Sequence, residues 1–340
     1  MSIHAQARGD GAALRTVLRS VGQIVLQRHA GTGACLVAAL ALCDLRLACA
    51  ALLGATVANV CAVLAGHADN AIRDGLAGFN GALAALAAFT LIGDTPTATA
   101  VALLAATASA WIGAALAPRL ARAGLSVYST PCLIASWVWL ALRAGASAHG
   151  PMPAPTHALT ALTTLIDPDW AAAPQTAWFG LRALAGILSG VAQTEFASGA
   201  PAGLLVVTGL ALSSRRAAAF ALLGAALASG LELACGTPLS YFDAGLTGFN
   251  GALAALATLA LGTRTAICAT MLAAALHLAA AHYGLPAMTA PFVLASWCAH
   301  GTARMLGGRP RNTAEARAAK YEPQETQTPP RAGATPTAIR

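Results

Sequence analysis

Charge is what this chain has least of. Of 340 residues only 10% are Asp, Glu, Lys or Arg, against 57% hydrophobic, and the one lysine is Lys320. A water-soluble fold of this length cannot cover so much Ala and Leu with so few charges. The eight cysteines contain no CxxC pair and lie in or beside apolar segments. They read as small thiols packing helices, not as disulfides or metal ligands. The eight histidines show no HExxH or paired-ligand spacing, which leaves metal catalysis without a basis. Met1 to Gly11 lack the n-region and cleavage site of a secretory signal.

What is present is a series of apolar runs, and the reading is an all-α polytopic membrane protein. The net charge of +7 does not indicate nucleic acid, because of where it sits. Arg8, Arg15, Arg19 and Arg28 lie near the start; Arg304, Arg309, Arg311, Arg317, Lys320, Arg331 and Arg340 lie at the end. Cations at membrane edges read as cytoplasmic, so both termini are expected there, with an even number of crossings between them.

Five runs precede a Pro- and Gly-rich stretch, at 13–29, 31–43, 47–65, 98–117 and 125–142. Five follow it, at 177–197, 201–213, 215–235, 264–282 and 285–303. The expected organisation is a cytoplasmic leader (1–12), a first repeat (13–142), an extracytoplasmic linker (143–175), a second repeat (176–303) and a disordered cytoplasmic tail (304–340).

The halves repeat. Residues 75–91 and 245–261, 170 apart, share 13 of 17 positions, including Gly75-Leu76, Gly78-Phe79-Asn80-Gly81 and their partners Gly245-Leu246, Gly248-Phe249-Asn250-Gly251. At the same offset, 21–42 and 191–212 share 8 of 22, Gln23 with Gln193 among them. At offset 160, 125–137 and 285–297 share 5 of 13. An odd number of crossings per half makes the second half enter from the opposite side, so the repeats are inverted, with a pathway expected between them near the midplane.

Two elements carry the polar chemistry. The Phe-Asn stretch is apolar for about 17 residues, roughly 25 Å of helix, marginal for a crossing. It reads as re-entrant or tilted, one per half; close helix packing through its glycines is the alternative. The second element is Leu285-Pro286-Ala287-Met288-Thr289-Ala290-Pro291-Phe292. Two prolines five apart break a helix, and the carbonyls they free, with the Thr289 hydroxyl, are expected to offer acceptors at membrane depth. Leu125 to Cys132 is its counterpart, with Pro131 and the hydroxyl of Ser129.

These motifs together resemble the urea transporter family, in a bacterial member, over roughly residues 13–303. The resemblance implies ten transmembrane helices, two re-entrant pore helices, a homotrimer in the inner membrane and passive urea permeation, with urea and the bilayer as partners and no cofactor, metal or nucleic acid. Residue by residue, Phe79 with Leu83 and Phe249 with Leu253 would be the flat walls of a slot. Ser129 and Thr289 would be its central hydroxyls, and Gln23 and Gln193 would flank its openings. Leu26 stands where Phe196 sits in the second half, Ser126 replaces a proline, Ser129 a threonine and Cys132 a phenylalanine. Glu195, two residues after Gln193, is either an acceptor at one mouth or a snorkelling surface acid. Asp44, Asp74 and Glu232 read as interfacial, and His277 as packed and neutral. No paired acids line both halves, so ion coupling has little support. A channel for another small neutral solute, a short amide or ammonia, is the competing reading; an ammonia path would call for midplane histidines that the pore stretches lack. An intramembrane enzyme would need a nucleophile and base at depth, and a purely structural trimer leaves the repeated Phe-Asn stretches unexplained.

Overall fold

A computed structural model of the chain describes residues 3–147 and 175–306, and every regular element in them is helical. In the first half these are α1 (Ile3–Gly22), α2 (Ala30–Cys43), α3 (Leu45–Leu64), α4 (Asp69–Arg73), α5 (Phe79–Leu91), α6 (Thr95–Arg122) and α7 (Thr130–Ser147). The second half supplies α8 (Gln175–Ala192), α9 (Ala200–Ser213), α10 (Arg215–Ala234), α11 (Leu239–Asp243), α12 (Phe249–Thr258), α13 (Thr263–His282) and α14 (Ala290–Met305). Most of the expected linker and tail lies outside the described residues. The stretch expected as a leader is helical from Ile3, as the first turns of α1.

Four helices, α3, α6, α10 and α13, are each long and apolar enough to cross a membrane. The runs at 13–29 and 31–43 form a pair bent by 76°, and 177–197 and 201–213 a pair bent by 69°. The cause is local: Leu26 (φ 61) and Phe196 (φ 66) are left-handed and end the 3-10 turns Gln23–Val25 and Gln193–Glu195. Side chains beyond glycine rarely take that conformation. The 14 residues of α2 reach only about 21 Å. The run expected at 98–117 extends as α6 from Thr95 to Arg122 with Pro118 inside the helix, since one proline removes one ladder bond.

α5 is buried on every face from Phe79 to Ala88, so its environment is protein, not lipid. Glycine makes this possible. A Cβ at Gly54 would overlap the carbonyl of Gly81, and one at Gly81 that of Gly54; Gly224 and Gly251 stand in the same relation. Both short helices thus lie against their neighbours backbone to backbone.

The halves share one core, which meets where α2 crosses α9. Thr32 Oγ1 donates to Gly209 O at 2.6 Å, and the Cys43 thiol lies 3.3 Å from Ser198 O. All eight cysteines are free thiols. The expectation of buried thiols holds fully for Cys132 alone; Cys49, Cys235, Cys268 and Cys298 are exposed on outward helix faces.

Candidate functional site

The site begins with an amide. Asn80 Nδ2 donates to Tyr128 O at 3.0 Å, and its Oδ1 accepts from Cys132 N at 3.2 Å. In the second half Asn250 donates to Met288 O at 3.1 Å and accepts from Phe292 N at 3.2 Å. Each asparagine ties its short helix to the turn before α7 or α14. That turn is strained: Tyr128 (φ 47) and Met288 (φ 46) are left-handed. Among the described residues, all non-glycine positive-φ residues are Leu26, Tyr128, Phe196 and Met288. Each conformation costs about 1–3 kcal/mol and persists only when its surroundings enforce it, a pattern that collects at functional sites.

The residue after each strained one carries a hydroxyl. Ser129 Oγ and Thr289 Oγ1 lie 2.7 Å apart, so the two halves meet in a hydrogen bond between equivalent residues. The indoles reinforce the meeting. Trp137 Nε1 donates to Pro286 O and Trp297 Nε1 to Ser126 O, both at 2.8 Å.

These bonds correct the expectation of free carbonyls. Ser126 O and Pro286 O accept from indoles, and Tyr128 O and Met288 O from asparagines. Val127 O and Ala287 O accept from Thr130 N and Ala290 N. Ser129 O and Thr289 O accept from Leu133 N and Val293 N. Each carbonyl of 126–129 and 286–289 therefore has one protein donor already, which leaves it one lone pair.

A narrow cavity of about 10 Å³, room for about one water, lies at the hydroxyl pair. Its lining is Ile24, Leu26, Phe79, Leu83, Tyr128, Ser129, Thr194, Leu253, Thr289 and Phe292. No charged side chain is among them. The hydroxyl of Thr194 donates to Val191 O at 2.7 Å, which leaves its lone pairs as acceptors.

Of the residues singled out in the sequence, Leu26, Phe79, Leu83, Ser129, Leu253 and Thr289 come together here. Gln23 is buried and donates to Asp74 O at 2.9 Å. Gln193 approaches Ala244 O at 3.5 Å. Both amides thus reach the loops that lead into the short helices, away from the cavity lining. Phe196 and Phe249 are half-buried and outside that lining.

Glu195 is not a surface acid. It is 0% exposed, and neither carboxyl oxygen meets a hydrogen-bond donor among the described residues. Glu232, near the end of α10, is buried in protein: it is 2% exposed and its Oε1 lies 2.9 Å from His277 Nδ1. Asp44 caps α3, accepting from Arg46 N at 2.8 Å, and Asp74 pairs with Arg28 at 3.0 Å.

The sequence reading passed over Ile24, Thr194, Tyr128 and Phe292. Each adjoins a motif position or stands in one, and Tyr128 against Met288 marks where the halves differ. Its ring meets Phe292 edge-on at 5.2 Å; the first-half counterpart of Phe292 is Cys132.

A comparison with curated proteins finds no match. The family model described as urea transporter matches residues 14–304, the greater part of the 340-residue chain. That is a family of transporters, not enzymes, and its members carry urea across a membrane. The chain belongs to the urea transporter family.

Proposed function

We propose that the chain passes urea down its gradient through a narrow slot between two inverted repeats, each of five transmembrane helices and one re-entrant pore helix. The observation that carries this reading is the Ser129–Thr289 hydroxyl pair, 2.7 Å apart in an uncharged cavity walled by Phe79, Leu83, Leu253 and Phe292. Urea is flat, neutral and rich in N–H donors. Apolar faces suit its plane, and neutral oxygens suit its edge. A bare ion would lose its hydration there without an equivalent.

Inversion is supported by reciprocity. Trp137 reaches Pro286 while Trp297 reaches Ser126. When residue i meets j′ and i′ meets j, the relating operation is a two-fold. Ten crossings follow if each bent pair counts twice and α7 and α14 count as well. α5 and α12, at 13 and 10 residues, are then the re-entrant elements. In this reading Phe249 and Phe196 line the part of the slot beyond the hydroxyl pair, and Gln23 and Gln193 brace its two ends. A homotrimer in the inner membrane, with both termini and the tail cytoplasmic, completes the proposal from the resemblance.

Stopped-flow light scattering on proteoliposomes tests it, with urea, formamide and water as solutes. Urea flux equal to that of empty vesicles refutes the reading. Formamide flux without urea flux replaces it with the short-amide alternative. Thr289→Val removes one neutral hydrogen bond and lowers urea permeability about two- to tenfold.

A further inference from the structure

The second half holds an ionisable pair that the first half lacks. Glu232 on α10 is 2% exposed, and its Oε1 lies 2.9 Å from Nδ1 of His277 on α13. The first-half counterparts are Ala62, 170 residues earlier, and Ser109, which stands 15 residues after the N-cap Asp94 of α6 as His277 stands 15 after the N-cap Gly262 of α13. Both helices are apolar enough to cross a membrane. A buried acid and an imidazole near the ends of two apolar helices are costly to keep and call for a role. Neither lines the central cavity. The imidazole instead meets one wall residue: its ring lies 5.6 Å from that of Phe249, at 77°, edge to face.

The geometry points to His277 and Glu232 as positioning residues for Phe249. This rests on the slot reading, in which Phe249 is the second wall. The carboxyl holds Nδ1, which fixes the rotation of the imidazole. The imidazole edge in turn fixes the tilt of the phenylalanine ring. Phe79, the first wall, meets no imidazole among the described residues; it is buried and lines the cavity directly. The pair therefore sets the slot width at one end, where a planar urea passes and an N-substituted urea is turned back.

The test is the ratio of 1,3-dimethylurea to urea permeability in proteoliposomes, normalised to inserted protein. His277→Ala raises the ratio roughly two- to tenfold, the range one edge-to-face contact supports. In a Phe249→Ala background the same change adds nothing, because its target is gone. A ratio unchanged in His277→Ala, or shifts that add in the double variant, overturns the inference. His277→Gln keeps a donor for Glu232 but loses the ring, and gives the same shift should His277→Ala fail to insert. Glu232→Gln shifts the ratio less than Glu232→Leu; the reverse order removes Glu232 from the device. If wild-type protein carries no urea, the slot reading and this inference fall together. If it carries urea and His277→Ala keeps the wild-type ratio, this inference falls alone.

Discussion

Asn80 is the residue whose removal tests most of the architecture at once. Its amide is 6% exposed and holds two backbone groups, Tyr128 O at 3.0 Å and Cys132 N at 3.2 Å. Asn80→Ala leaves both groups without their partner in a dry interior. Each orphaned group costs about 1–3 kcal/mol, so the gross loss is about 2–6 kcal/mol. Part returns, because Tyr128 is free to leave its left-handed conformation (φ 47), which relieves about 1–3 kcal/mol. A net loss of roughly 1–3 kcal/mol remains, equivalent for a 340-residue chain to a melting temperature lower by about 1–4 °C. The functional loss is larger than the stability loss. Ser129 directly follows Tyr128, and once the turn relaxes its hydroxyl no longer meets Thr289 at 2.7 Å. Urea permeability then falls by about tenfold or more, as expected when a polar group is displaced by about 1 Å. Asn80→Asp separates the two bonds. It keeps an acceptor for Cys132 N but turns an oxygen toward Tyr128 O, so it is no better than Asn80→Ala. Thermal unfolding followed by tryptophan fluorescence and stopped-flow flux read the two effects. Wild-type melting and wild-type flux in Asn80→Ala would refute the latch.

Three further outcomes follow from single contacts. Gly81→Leu drives a side chain into the carbonyl of Gly54 and should abolish correct insertion of α5, seen as loss of monodisperse protein on size exclusion. Glu195→Met exchanges a buried carboxyl that meets no protein donor for an apolar chain of similar length; melting should rise, by about 1–4 kcal/mol of added stability, and a lower melting temperature would show that the carboxyl is satisfied. Asp94 caps α6, and hydrogen bonds from Thr97 hold its carboxyl below the usual range. Its folded pKa is depressed, so its stabilisation is present above the ordinary carboxylate range and lost as pH falls through the folded value; wild type and Asp94→Ala should differ in melting at neutral pH and converge in acid.

Much of this was legible because it is written twice. Phe79-Asn80 and Phe249-Asn250 recur at one offset, and Ser129 and Thr289 at another, so the elements that meet across the halves could be named from spacing. Other features have no local signature. Leu26 and Phe196 bend two helix pairs through left-handed backbone, yet neither is the glycine that would announce such a turn. The carbonyls beside Pro286 read as free because their partners are remote: the Trp137–Pro286 and Trp297–Ser126 bonds span 149 and 171 residues. Glu232 and His277 are 45 apart, and each alone reads as an ordinary residue of an apolar helix. Glu195 looked accessible only because it follows Gln193. The 3-10 turn points Thr194 at the cavity, while Glu195 lies in the seam beside α2.

The engaged carbonyls change how selectivity has to be explained. With each carbonyl of both turns already accepting one bond, the side-chain hydroxyls of the lining are those of Ser129, Thr289, Thr194 and Tyr128. The first two are bonded to each other, so a solute at the centre must replace that bond or pass beside it. Urea can donate to one hydroxyl and accept from the other within one plane. Both hydroxyls could also turn to meet a bare ion, since each rotates to donate or accept, but two neutral groups do not replace the several waters it sheds. In the proposed slot that uncompensated dehydration turns ions back, with no charged ring required.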